Sequence, residues 1–281
     1  MRRRLRWRRC RPGEVETVAS RLSDWPAPPG GAVRHMFALA TIEAVGADAL
    51  RIASDDHRWA AAVVVPGRLL VPCGDAEALV SAGPPLRRWR LMVGDAAAGD
   101  AILSKTAPDP TLIVHEQRFL TVDPDRVPDE REVADPGLRR AEPDDLQALA
   151  RLAVRLHVDD QFGPDPGPVG LRGYRQRLEQ TVRQGLVWCV GPVGAPVCKV
   201  ERSVSSRRWG VQLAGIVVDP EHRGSGLGTA AVATAVRDAL REGPRHRAVS
   251  LHVRADNHSA LRAYATAGFL DREAWRLAVR G

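Results

Sequence analysis

The sequence predicts a two-domain α/β (α+β) protein, whose larger C-terminal domain holds a mixed, mostly antiparallel sheet with one parallel strand pair. Three observations predict it. The chain has 281 residues, and at roughly 150 residues per domain that suggests two. A segment dense in proline and acids, residues 119–138, interrupts the apolar periodicity and reads as a linker. Downstream of it, helical spacing alternates with strand-like runs, so that a helix falls between two strands, and such a crossover makes its flanking strands parallel. A composition of 44% hydrophobic and 27% charged residues suits two sizeable cores, and excludes disordered, collagen-like and disulfide-framework classes. The longest apolar run, residues 59–65, is far short of the roughly 18 to 20 residues of a helical membrane span, so no membrane partner is expected.

The predicted boundaries are a disordered basic arm over 1–30, a small α/β domain over 31–122, a linker over 123–136 and the C-terminal domain over 137–281. The net charge is +7, and seven arginines within residues 1–11, with no acid among them, account for all of it. The high pI therefore belongs to the arm and not to a basic face, and nucleic acid is not expected as a partner. No apolar segment of 7 to 15 residues follows the arginines, so a secretory signal is not expected either. Within 31–122, residues 35–45 have helical spacing, 59–65 and 68–71 read as a hairpin about Pro66 and Gly67, and 76–80 and 96–103 read as short helices. Residues 89–93 and 111–120 complete the unit as strands. It has no glycine-rich phosphate loop, so it reads as a scaffold or specificity domain.

In the C-terminal domain residues 138–141 predict a strand, Asp144 caps a helix to about 156, and 171–183 form a second helix with one apolar face. Residues 186–190, 197–204 and 211–218 predict three strands, the first two joined by a Gly-Pro-Val-Gly turn. A helix over 227–241, a strand over 248–253, a helix over 259–266 and a last strand over 275–279 complete the reading.

The strongest signal is Val218-Asp219-Pro220-Glu221-His222-Arg223-Gly224-Ser225-Gly226-Leu227-Gly228-Thr229: a strand, a proline stop, then a glycine-rich turn opening a helix. Glycines let consecutive backbone N–H groups converge, and the helix N-terminus adds partial positive charge, which makes an anion cradle. Arg223 adds a permanent cation. A dinucleotide fingerprint fits Gly226-x-Gly228-x-x-Ala231 formally, but no acid occurs in residues 245–254, where that fold needs one. The two lysines, Lys105 and Lys199, are remote from these glycines, which excludes a nucleoside-triphosphate P-loop.

The Arg223-x-x-Gly226-x-Gly228 pattern after a strand ending Val-Asp-Pro resembles the acetyl-CoA motif of the GNAT superfamily of N-acetyltransferases. Asn257-His258-Ser259-Ala260-Leu261-Arg262-Ala263-Tyr264-Ala265-Thr266-Ala267-Gly268-Phe269 is similar to the family's second motif. The resemblance covers about residues 137–281. It implies a GNAT-like fold with a splayed parallel pair, a bacterial source and acetyl-CoA as co-substrate, while the cytoplasmic setting is expected from the missing secretory signal and the cysteine usage. The upstream half is similar in outline to a poorly characterised domain found before GNAT domains in GC-rich bacteria, and a degenerate GNAT-like half is one reading of it.

The resemblance further implies that Ile216, Val217, Val218, Arg223, Gly224, Ser225, Gly226, Leu227, Gly228, Thr229, Asn257, Ala260 and Tyr264 bind the cofactor. Val217 would offer its amide to the oxyanion, and Tyr264 would protonate the departing thiolate. Gly215 is placed as a β-bulge. For the base that deprotonates the amine, Glu201 comes first, and Asp159 and Asp160 could instead line the amine entrance. The strand over 211–218 carries no acid, a departure from members that keep a Glu there, which leaves a water-relayed base open.

Cys10, Cys73, Cys189 and Cys198 include no C-x-x-C pair, and the eight His show no ligand spacing, so neither a disulfide framework nor a metal site is expected. The sequence thus predicts direct acetyl transfer to an amine of a small molecule or protein. Its alternatives are a CoA-binding regulatory protein without turnover and a tandem GNAT enzyme of the mycothiol synthase type. A homodimer is left open.

Overall fold

A computed structural model describes residues 4–26, 30–65, 68–242 and 248–280. The chain divides into two compact units, Met1–Phe119 with Arg272–Gly281, and Leu120–Asp271. Among the described residues no helix is long and apolar enough to cross a membrane.

In the first unit the elements run β1 (Arg8–Arg9), α1 (Val15–Ser23), α2 (Gly31–Arg34), α3 (Met36–Val45), β2 (Leu50–Ser54), β3 (Trp59–Val65), β4 (Leu69–Gly74), α4 (Ala76–Ala82), β5 (Leu91–Asp95), α5 (Ala96–Leu103) and β6 (Leu112–Val122). β1 to β4 pair antiparallel in chain order. α4 is then a crossover, so β5 lies parallel to β4. Alternation explains β3 poorly, because six of its seven residues are buried. It is an inner strand, covered on both faces, and its apolar run is what such a strand requires. The hairpin joins β3 to β4 as expected, while its turn at Pro66 and Gly67 lies outside the described residues.

Two expectations are corrected here. The basic arm is folded where it is described. Leu5 and Cys10 are buried, β1 pairs with β2, and α1 buries Val18, Ala19 and Leu22. Its arginines alternate with Leu5 and Trp7, so the charged side chains face water while the apolar ones pack, a period-two pattern that a charge count hides. The last strand of the chain, which the sequence assigned to the C-terminal domain, belongs largely to the first unit. Residues 275–279 of that strand pair antiparallel with β5, from Trp275↔Asp95 to Val279↔Leu91.

The second unit contains β7 (Arg139–Arg140), α6 (Leu146–Asp159), α7 (Gly167–Arg183), β8 (Val187–Val190), β9 (Cys198–Ser206), β10 (Gly210–Val218), α8 (Leu227–Arg241), β11 (Val249–Arg254), α9 (His258–Thr266) and the start of β12 (Phe269–Arg280). β7 to β10 are antiparallel neighbours, and β11 joins β10 in parallel. One core packs α8 and α9 on the sheet through Val232, Val236, Leu251 and Phe269. A second packs α6 and α7 through Leu149, Leu152, Leu178 and Val217.

The predicted linker is part of this unit, because Val127 and Val133 pack on the first of these cores and Arg237 donates to the Pro128 carbonyl at 3.0 Å. The N-cap of α6 is Asp145 and not the expected Asp144, and its side chain accepts no hydrogen bond from the helix. Asp145 is fully buried and accepts from both Arg139 Nη atoms at 2.7 and 2.9 Å, and from the backbone N–H groups of Glu142 and Gly194 at 2.8 and 2.9 Å.

Candidate active site

The parallel ladder between β10 and β11 has three register pairs, Val211↔Val249, Gln212↔Ser250 and Leu213↔Leu251. Just beyond them β10 shifts register against β9 between Ala214 and Val217, and Gly215 sits there with φ +58°. This is the bulge the sequence places at Gly215. A Cβ at Gly215 would stand 2.5 Å from Glu201 Oε1 and 2.8 Å from Lys199 Nζ. Gly215→Ala is therefore expected to destabilise the protein by about 2 kcal/mol or more, through both the clash and the left-handed φ, which thermal denaturation would measure.

A cavity of about 720 Å³ opens where the two strands part. Ile216, Val217 and Val218 line it from β10, Arg223, Gly224, Gly226, Leu227, Gly228 and Thr229 from the loop and the start of α8, and Asn257, Ala260 and Tyr264 from α9 and its cap. Tertiary structure thus brings together all the expected cofactor residues except Ser225, whose hydroxyl donates to the His222 carbonyl at 2.8 Å. Gly224 and Gly226 take φ +77° and +84°, a region that favours glycine, and nothing within 4 Å would meet a Cβ at either, so the loop is open on that side. Arg223 is fixed at the rim, with Nε on the Val218 carbonyl at 3.0 Å and Nη2 on Asp159 Oδ2 at 2.7 Å. Asn257 caps α9 by accepting from the Ala260 N–H at 3.1 Å, and it also lines the cavity.

Tyr264 is 8% exposed, lines the cavity and packs on Phe269 with ring centroids 6.0 Å apart. Burial first, and then the nearby charge of Asp160, push its phenol well above the ordinary range, so it is protonated at neutral pH.

Glu201 is not brought to the cavity wall, which corrects its expected place as the base. It is buried and ion-paired to the fully buried Lys199, and Arg177 reaches its two oxygens at 3.2 and 3.4 Å. Burial alone would raise its carboxyl, but Lys199 and Arg177 outweigh that and lower it. A carboxylate held by two cations beneath a bulge supports the backbone there.

Two further wall segments lie outside the motifs, and one of them is the pair Asp159 and Asp160 already placed at the amine entrance. Arg254 ends β11 and Asp256 lies in the turn after it, with Arg254 Nε on Asp256 Oδ1 at 2.9 Å. Asp159 ends α6 and Asp160 is its C-cap, and both line the cavity. The signal for the latter pair is in the sequence: two acids at the C-terminal end of a helix oppose its dipole. Asp159 is offset by Arg223 and by Arg155 at 2.9 Å. Desolvation pushes the Asp160 carboxyl up to about 6, with Arg254 opposing and Asp159 and Asp256 adding to the rise.

The four cysteines are free and buried, and burial pushes the thiols of Cys189 and Cys198 up to about 12. They are unreactive core groups. Among the described residues no cluster of His, Cys, Asp and Glu has the arrangement of a metal site.

Residues 154–269 match the acetyltransferase (GNAT) family. Structures with that fold resemble the chain over nearly its whole length. A GNAT-family acetyltransferase from Colwellia psychrerythraea aligns at 11% identity over 98% of this chain and 99% of its own, with a TM-score of 0.60. A GCN5-related N-acetyltransferase from Sphaerobacter thermophilus aligns at 14% identity over 99% and 96%, with a TM-score of 0.61. A tandem GNAT protein of the clavulanic acid biosynthesis pathway aligns at 15% over 98% of both chains, with a TM-score of 0.53. Among curated proteins none matches. At such identities the likeness establishes the fold and nothing finer. The GNAT match begins at residue 154, so it lends no support to the family resemblance expected for the N-terminal half.

Proposed function

We propose that the Leu120–Asp271 unit binds acetyl-CoA and transfers its acetyl group directly to an amine. The observation that carries this reading is the cavity wall shared by the splayed end of β10, the glycine-rich loop that follows it, and Tyr264, which α9 brings in from further along the chain. Backbone N–H groups of residues 224 to 229 at the start of α8 would hold the pyrophosphate, helped by Arg223. The released edges of β10 would pair with the amide-bearing pantetheine arm as an added strand does. The Val217 amide would meet the oxyanion, and the Tyr264 phenol would hand its proton to the thiolate. Holding thioester and amine in one cavity supplies proximity. Inert cysteines fit a direct transfer without an acyl-enzyme, and four free thiols suit a reducing, cytoplasmic setting.

Calorimetric titration with acetyl-CoA tests the reading, wild type beside Tyr264→Phe. Micromolar binding by both, with release of CoA to a panel of primary amines at least about 100-fold slower in the variant, is the expected result. Binding without turnover in the wild type would favour a CoA-binding regulatory protein. A folded protein that binds no acetyl-CoA would end the acetyltransferase reading. The full-length likeness to a tandem GNAT protein favours a second version of the same function, in which the first unit is a degenerate partner half. In that unit a single residue, Asp75, separates β4 from α4, and its carboxylate accepts from the Trp59 N–H at 2.8 Å. With no room there for a phosphate loop, one acetyl-CoA per chain is expected.

A further inference from the structure

With Glu201 engaged beneath the bulge, the proton lost by the amine needs another acceptor. The carboxylates on the cavity wall are Asp159, Asp160 and Asp256. Asp159 is paired with Arg223 and Arg155, and Asp256 with Arg254. Asp160 differs from both, since no hydrogen bond or ion pair holds its carboxylate among the described residues. Its placement has a cost. Asp160 is the C-cap of α6, where the helix dipole disfavours negative charge. The next residue, Gln161, takes φ +56°, the one positive φ outside glycine among the described residues. Such strain costs about 1–3 kcal/mol, and a turn serving only to end a helix is met by glycine without it. Tyr264 shares the cavity with Asp160 and lies within electrostatic reach of it.

We infer that Asp160 is the general base of the transfer, taking the proton that the acceptor nitrogen loses as it bonds to the acyl carbon. This rests on the acetyl-transfer reading above. The nitrogen lone pair forms the C–N bond, the N–H proton passes to the Asp160 carboxylate, and the C–S bond breaks. Its electron pair leaves on sulfur, which takes the Tyr264 proton. The proton on Asp160 then returns through solvent to the Tyr264 phenolate, so the products are an amide and a free thiol and the protein ends as it began. Around the base, Arg254 favours its charged form while Asp159 and Asp256 oppose it, and burial places its titration near neutrality, where a base is most effective. It is ionised at pH 7.

The test uses acetyl-CoA and hydroxylamine, a nucleophile too small to need an acceptor pocket, with hydroxamate formation as the readout. The ratio of wild-type to Asp160→Asn rate cancels the titration of hydroxylamine itself. That ratio is expected to be about 100 or more at pH 7.5, and to fall towards one as pH drops through about 6. Asp160→Glu should recover part of the rate, and calorimetry should find acetyl-CoA affinity within a few-fold of wild type in both variants. A ratio near one, or one that does not change with pH, overturns the assignment. So does a wild type that binds acetyl-CoA but forms no hydroxamate, because a built-in base requires no particular acceptor. A wild type that fails to bind acetyl-CoA brings down the acetyl-transfer reading itself, and calorimetry separates that failure from the others.

Discussion

Gly226→Glu is expected to abolish acetyl-CoA binding, weakening it by at least about 100-fold in calorimetric titration. Gly226 is the N-cap of α8 and takes φ +84° at the mouth of the cavity. A glutamate there puts a carboxylate where phosphate oxygens would meet backbone N–H groups. Losing two charge-assisted hydrogen bonds costs about 3–6 kcal/mol, and each 1.4 kcal/mol is tenfold in affinity. Gly226→Ala separates the causes. A Cβ at this position meets nothing within 4 Å, so alanine bears the left-handed backbone penalty of about 1–2 kcal/mol while leaving the cradle open, and its affinity should stay within about tenfold of wild type. Equal loss in both variants would move the effect from phosphate recognition to loop conformation.

Asp145→Ala carries the largest expected loss of stability, about 3–5 kcal/mol, or a fall in Tm of about 10 °C for a unit of this size. The carboxylate is fully buried and satisfied by Arg139 and two backbone N–H groups. Removing it strands those donors and loosens the entry to α6, the helix whose C-cap is Asp160. The effect depends on pH in a defined direction. Burial alone would raise the Asp145 carboxyl, yet its hydrogen bonds bring it down to about 2, below its unperturbed 3.8. A depressed carboxyl stabilises the fold fully above about pH 4, and the contribution disappears as pH falls towards 2. The stability gap between wild type and variant should therefore narrow by about 2 kcal/mol across that window in acid titration followed by circular dichroism. A gap unchanged by acid would mean that packing, and not the ionised hydrogen-bond cluster, is what the variant loses.

The sequence by itself determined the β10–α8–β11 crossover and the glycine loop, because their signals are local: glycines where φ is positive, a proline after a strand, a capping Asn before the next helix, while Tyr264 was marked by the likeness of its segment to the second GNAT motif. Local chemistry of that kind is readable without a fold. Tertiary structure alone decided the rest. Glu201 alternates correctly along its strand, but only packing shows it bound by Lys199 and Arg177 beneath the Gly215 bulge. Asp159 and Asp160 are adjacent in sequence and look equivalent. Arg223, 64 residues away from Asp159, pairs with one and leaves the other unpaired. The arginines of the first residues read as a solvated arm until Leu5, Trp7 and Cys10 find their partners at residues 50–83. Burial and ion pairing are set by residues distant in the chain, and those distances are closed only by folding.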